Sequence, residues 1–331
     1  MLSRALPGTH CDSAGSRGHT RQGPLSSVFP PQSVDNYWQL PGSGLDKRSV
    51  ACPGMKLYLI NWQKALAMIA IAAALTTTTA RATERSFTYT YEPETMPKGG
   101  MEFEQWVSLR AGRNDVVGQD DYQRWEFRQE LEYGVTDRYT FSFYLNETYE
   151  AYRDPASGDH FSDLNFDSVS LENKYMLLNP ADHAVGLSLY FEPRFGQGEL
   201  ELEEKIILGQ RHGNWKWALN LTHATEWAEH FSETEGELEA SLGITRELTP
   251  HWSVGIEARD HNELPEYDRW ENTAVYVGPV VSYKQERWWA ALTVMPQVYG
   301  VNFGENPDGN THLELEGHER WNVRLIAGFG F

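Results

Sequence analysis

Residues 124 to 132 read RWEFRQELE, and every second one is ionic: Arg124, Glu126, Arg128, Glu130 and Glu132. Side chains that alternate in this way share one face of a strand, with Trp125, Phe127 and Leu131 on the other. Charges of both signs on one pleated face can line an aqueous passage and sort the ions and dipoles that enter it. The same parity continues downstream through Glu172, Lys174, Glu192, Arg194, Glu201, Glu203, Lys205, Glu257, Arg259, Lys284 and Arg324. With Arg124, Glu126, Arg128 and Glu130, these are the candidate lumen-lining residues. Their mixed signs favour a small polar or zwitterionic solute over a strongly anionic one.

Other reactive residue types are sparse. His251-Trp252-Ser253 places a histidine near a serine, but it adjoins a proline turn and reads as a turn followed by an interfacial tryptophan. "DHNELPEYD" (260–268) and "GDHFSD" (158–163) mix histidine with carboxylates at no spacing diagnostic of a metal. Both cysteines, Cys11 and Cys52, precede the folded region argued below, which leaves no thiol chemistry. An outer-membrane phospholipase, which would set Ser and His on the outer wall, is weighed and disfavoured, and no enzyme is expected. No cofactor is called for either, and divalent cations at acidic loops are the one exception weighed.

The elements that must hold these charges are strands. Twelve alternating segments follow one another: 102–110, 124–133, 138–147, 169–178, 185–195, 201–209, 215–223, 237–245, 252–259, 274–284, 288–298 and the terminal 320–331. Their Trp, Tyr, Phe, Val and Thr content favours strands over helices. Short turns rich in Asn, Asp, Gly and Pro follow every second segment, at 134–138, 179–183, 210–214, 247–251 and 284–287. Longer loops alternate with them, at 111–121, 150–165, 226–235, 260–271 and 301–319. These hold 21 Asp/Glu against Arg113, Arg153 and Arg269. The pattern predicts an all-β fold: a transmembrane antiparallel up-and-down β-barrel of twelve strands, with ten and fourteen as the alternatives.

The apolar face is expected to meet lipid. Tyr133, Tyr139, Trp215, Trp252, Tyr283 and Trp288 gather near the short turns, and Trp227, Tyr299 and Trp321 near the long loops, as two interfacial belts require. Gln129, Asn173 and Glu204 break the pattern on this face, and Glu204 is read as a bulge or a shifted register. The ending "RWNVRLIAGFGF" reads as a closing strand that removes exposed sheet edges. Its last residue, Phe331, resembles the terminal aromatic read by the barrel assembly machinery.

At the other end, "MKLYLINWQKALAMIAIAAALTTTTARA" (55–82) has a basic start, an eleven-residue apolar run and small residues at Ala80 and Ala82. This is a secretory signal, and its run is too short to span a bilayer, which takes ~20 residues. The expected organisation is therefore a mis-assigned or disordered extension at 1–54, a signal peptide at 55–82, a periplasmic or lumenal segment at 83–99 and the barrel at 100–331. Residues 83–331 carry 20 Lys+Arg against 44 Asp+Glu, a formal charge of −24. That acidity argues against a nucleic-acid partner and for cations.

"TYEPETMPKGGMEFEQWVSLR" (90–110), "ELEYGVTDRYTFSFYLN" (130–146) and "LSLYFEPRFGQGELELEEKIIL" (187–208) resemble an uncharacterised, domain-of-unknown-function family of proteobacterial outer-membrane barrels. The chain is also broadly similar to outer-membrane transporters. The resemblance implies the fold and carries over no site. The expectation is a monomeric barrel in the outer membrane of a Gram-negative bacterium, processed near Ala82 and forming a narrow channel for a small polar solute. The alternative is a plugged structural or adhesive barrel acting through its acidic loops. Expected partners are membrane lipid and lipopolysaccharide, the assembly machinery and the solute.

Overall fold

The computed structural model describes residues 83–113, 120–303 and 312–331. The extension at 1–54, the signal at 55–82 and parts of the first and last long loops lie outside the described residues. Among the described residues twelve strands form: β1 (Met101–Ala111), β2 (Asp120–Thr136), β3 (Tyr139–Arg153), β4 (His160–Leu178), β5 (Gly186–Gly196), β6 (Leu200–His212), β7 (Trp215–Ala228), β8 (Glu233–Glu247), β9 (Trp252–Pro265), β10 (Asn272–Lys284), β11 (Trp288–Asn302) and β12 (Trp321–Gly330). Each pairs antiparallel with its sequence neighbours, and β1 pairs with β12, so the sheet closes.

Closure is what the alternation demands. Lipid cannot satisfy an open sheet edge, and pairing β1 to β12 from Glu102↔Gly330 to Ala111↔Trp321 leaves none. The Phe331 amide continues the ladder by donating to the Met101 carbonyl at 3.0 Å. Along β12 the outward Trp321, Leu325 and Phe329 are exposed, while the inward Asn322 and Ile326 are buried. Outward apolar residues on the other strands, such as Leu189, Leu221, Ile256 and Val298, are likewise exposed.

Two expectations need correction. Several strands run further toward the long loops than the alternation indicates: β3 reaches Arg153, β4 begins at His160 and β9 reaches Pro265. On β3 and β4 a register shift between Asn146 and Glu147 breaks the two-residue period, so the exposed Leu164 and Phe166 fall out of step with the alternation downstream. Glu204 marks neither a bulge nor a slip, because Phe191↔Glu204 and Glu204↔His223 pair in unbroken register. Its outward carboxylate instead meets His223 Nδ1 at 2.9 Å, and His223 Nε2 lies 3.0 Å from the Tyr267 hydroxyl. Asn173, also outward, accepts from the Tyr139 hydroxyl at 2.8 Å.

The strand-like residues 83–98 join no sheet. They run inside the barrel, where Phe87, Thr88, Thr90 and Met96 are fully buried. Two glycines make the room. A Cβ on Gly243 would stand 2.4 Å from the Phe87 ring, and one on Gly134 would stand 2.0 Å from the Pro97 carbonyl. The segment leaves the lumen through a backbone pair, Gly99 N to Gly134 O at 2.7 Å and Gly134 N to Gly100 O at 3.0 Å.

Candidate functional site

A segment without sheet partners must satisfy its amides elsewhere. Here side chains of the wall do it. The Glu257 carboxylate accepts the backbone N–H groups of Thr88 (3.1 Å), Tyr89 (2.9 Å) and Thr90 (2.9 Å), and also the hydroxyls of Thr88 and Thr293. Asn220 pairs with Tyr91 in both directions, accepting from its N–H at 2.6 Å and donating to its carbonyl at 2.9 Å. Toward the short turns, Lys216 meets Glu92 at 3.0 Å and Lys284 meets Glu84 at 2.6 Å.

The segment brings rings to the middle of the lumen. Tyr91 packs edge-on against Tyr190, with centroids 5.2 Å apart, and lies 6.2 Å from Trp106. Cations cover these rings. The Arg85 guanidinium is 4.2 Å from the Tyr91 centroid and 4.6 Å from Trp106, Arg324 is 4.0 Å from Tyr89, and Arg128 is 4.2 Å from Tyr144. Desolvated cation–π contacts of this kind are worth about 2 kcal/mol each. Arg128 of β2 also reaches across to Glu192 of β5 at 2.6 Å. Together these groups form a waist.

Each side of the waist holds a cavity, and Tyr91 lines both. The one toward the short turns has a volume of about 300 Å³ and holds the candidates Glu130, Glu172 and Lys174. The one toward the long loops, of about 350 Å³, holds Arg124, Glu126, Arg128, Glu192, Arg194, Glu201, Glu203, Lys205, Arg259 and Arg324. Lys284 lines a small recess beside Glu84. Glu257 lines none of these cavities, since it is fully buried beneath the N-terminal segment.

The larger cavity is electrically lopsided. Arg324 of β12, Arg110 of β1 and Arg124 and Arg128 of β2 stand on one wall, where Arg110 and Arg124 share Glu126 at 3.2 and 3.3 Å. Around the ring, β6 to β8 present Glu201, Glu203, Glu226, Glu237 and Glu239 to the same cavity. Arg194, Lys205 and Arg259 pair with Glu201, Glu203 and Glu239, so the net negative charge of this wall rests on Glu226 and Glu237.

At the long-loop mouth, residues 312–320 fold inward. Gln297 brackets Glu314 through its N–H (2.7 Å) and carbonyl (2.6 Å), and Tyr276 donates to the Glu319 carbonyl at 2.9 Å. Burial pushes the Glu314 carboxyl up to about 7, against the pull of the Gly317, Glu316 and His318 amides that donate to it. Burial, and then the neighbouring His261, hold His318 well below the usual histidine range. His261, Glu263 and His318 each bring a ligand atom within 4.8 Å of the other two. Glu239 lies 3.3 Å from His261 Nδ1, where it can orient the ring as a metal's outer-shell carboxylate does.

The alternation placed the ionic face, but it left out Arg110, Glu102, Glu104 and the inward aromatics Trp106, Tyr144 and Tyr190, all of which share that parity. His261 falls within the "DHNELPEYD" stretch. His318 is an isolated histidine in a loop and carries no sequence signal.

A model described as "Family of unknown function (DUF6662)" matches residues 79–201 and 195–331. No curated protein matches. Among solved structures, the COG4313 outer membrane channel from Pseudomonas putida F1 is similar at a TM-score of 0.51 and 12% identity, over 74% of this chain and 100% of that one. The NanC porin aligns at a TM-score of 0.43 and 9% identity, over 69% and 98% of the two chains. LpxR from Salmonella typhimurium aligns at 0.41 and 8%, over 69% and 99%. At these identities the likeness concerns the barrel fold alone.

Proposed function

The chain belongs to that family of unknown function, so its activity has to be read from the barrel, and we infer that it is an outer-membrane channel of a Gram-negative bacterium for a small polar or zwitterionic solute. The observation that carries this reading is the pair of polar cavities that meet at Tyr91, the outer one with walls of opposite sign. A dipolar solute gains from both walls at once, whereas a simple anion or cation is held by one and repelled by the other.

The N-terminal segment narrows this path and sets the conductance. Secretion through the signal near Ala82, recognition of Phe331 by the assembly machinery, and contact of the outer rim with lipid and lipopolysaccharide belong to the same reading. Divalent cations find their best ligands at His261, Glu263 and His318 rather than on the exposed loop carboxylates. We assign the barrel no catalytic role.

A second reading rests on the Glu257 clamp. A segment held by a buried carboxylate and an asparagine pair suits a permanently plugged structural barrel. Planar bilayers separate the two. Stepwise current from the purified protein, with liposomes swelling in amino acids faster than in anionic sugars of equal size, is the channel result. A bilayer that stays sealed at every voltage overturns it.

A further inference from the structure

The short-turn cavity contains more carboxylate than a strand pair tolerates by itself. Glu102 of β1 stands directly opposite Glu132 of β2, and Glu104 opposite Glu130. All four are buried, as is Glu172 nearby. Directly opposed like charges destabilise a strand pair, and buried carboxylates without cations cost far more than exposed ones. Four cations line this cavity, and two of them are committed elsewhere: Lys216 to Glu92 and Arg211 to Glu247. That leaves Arg85, which reaches Glu104 at 3.7 Å, and Lys174. One oxygen of Glu130 has no hydrogen-bond partner among the described residues. Carboxylate oxygens of Glu102, Glu104 and Glu132 lie within 4.8 Å of one another.

A donor already points into this cluster. The backbone nitrogen of Thr83 lies 2.7 Å from Glu102 Oε2, and the other Glu102 oxygen accepts the Trp289 indole N–H. Thr83 is also the residue that follows the small-residue pair Ala80 and Ala82 at which the secretory signal ends. The two observations are independent: one is a pattern in the leader, the other a contact inside the barrel.

We propose that the cation of this cluster is the chain's own new amino terminus. Hydrolysis of the Ala82–Thr83 amide adds one water, leaves a carboxylate on Ala82 and frees an α-ammonium on Thr83, which docks on Glu102. Processing thereby turns a neutral amide into a positive charge at the point where negative charge is concentrated. It also ties the start of the plug to β1. An uncleaved chain would carry an amide there and leave the opposed glutamates short of a cation, so docking of the segment is completed only by processing.

This inference rests on the secretory reading but not on conduction. The full chain, exported and purified from membranes, is expected to give an intact mass corresponding to residues 83–331. In the native protein, reductive dimethylation of the α-amine should run about tenfold slower than in the denatured protein, the loss of one charge-assisted bond being worth about 1.5 kcal/mol. Glu102→Gln should abolish that protection while its mass, lower only by the carboxyl-to-amide exchange, still corresponds to a chain starting at Thr83. Glu84→Gln, which removes one of the two carboxylates on Lys284 instead, should keep it. A mass that starts elsewhere, or a native α-amine that reacts as fast as the denatured one, overturns the proposal even if Glu102→Gln fails to assemble. A sealed bilayer would reject the channel and leave this result standing.

Discussion

Arg128 and Glu192 meet at 2.6 Å across the lumen, from strands three places apart in the ring. Such a pair is a strut rather than a rung, because it fixes the width of the waist where Tyr91, Trp106 and Tyr190 converge. Replacing Arg128 with alanine removes the strut and uncovers the Tyr144 ring. Single-channel conductance should rise severalfold. The buried Glu192 left without its partner should also lower stability by roughly 3 kcal/mol. Unchanged current steps would show that the waist lies elsewhere.

The Glu257 clamp makes a sharper prediction about the N-terminal segment. Glu257→Gln keeps the shape but replaces a charged acceptor of three backbone amides with a neutral one. The expected cost is about 2 kcal/mol, or roughly 4–8 °C in a thermal scan for a chain of this size. The segment should loosen, seen as flickering current and as cleavage near residues 85–90 by a protease added from the short-turn side. A quiet, protease-resistant Glu257→Gln variant would remove the clamp from the account.

The walls of the outer cavity can be tested separately. Neutralising Arg324, whose guanidinium donates to Ser108 and the Thr88 carbonyl, should shift selectivity toward cations. Neutralising Glu237 on the facing wall should shift it toward anions. Reversal potentials in a salt gradient read both directions. The two shifts should shrink together at high ionic strength, where the Debye length falls to about 3 Å in 1 M salt. Shifts of the same sign from both substitutions would contradict the lopsided field.

Loop chemistry gives one pH dependence whose sign can be worked out. The Ala156 amide and Ser157 hydroxyl hold the exposed Asp154 carboxyl below the usual carboxylate range. The turn therefore gains from the charged form at every pH above that range and loses it as pH falls through the lowered value. Proteolytic nicking at 154–159 should stay constant from neutrality down to about pH 4, the ordinary carboxylate range, and rise only below it. Asp154→Asn should nick equally at all pH values.

How much of this was legible beforehand depends on where backbone partners come from. The twelve strands could be read because each β-ladder residue alternates between lipid and lumen, and lipid enforces the period. Glu126, Arg128 and Arg324 followed from that parity alone. The N-terminal segment was legible only as a periplasmic or lumenal stretch at 83–99, and how the wall holds it was not. SFTYTYE alternates as a strand does, yet its amides bond to Glu257 and Asn220 side chains from strands far away in sequence. Local pattern contains no term for that. Trp106 and Tyr144 share the ionic parity, but an aromatic ring reads as lipid-facing unless a plug and stacked arginines give it a reason to turn inward.

The mouth of the barrel supplies the last test. His261 and Glu263 come from β9 and His318 from the folded-in loop, so an ion bound by all three would staple loop to wall. Two imidazoles and a carboxylate suit zinc, whose bonds of about 2.0–2.2 Å require the three side chains to close by roughly an ångström. Zinc at a hundred times its dissociation constant should then stabilise the barrel by about 2.7 kcal/mol. It should also reduce conductance, because the stapled loop overhangs the outer cavity. Chelation should reverse both effects. His318→Ala should abolish them while leaving the zinc-free current near wild type, since that ring belongs to the loop and not to the waist. Magnesium, which prefers oxygen ligands in octahedral array, should do neither. If zinc blocks the His318→Ala variant as well as the wild type, the ion acts at another place and the staple is refuted.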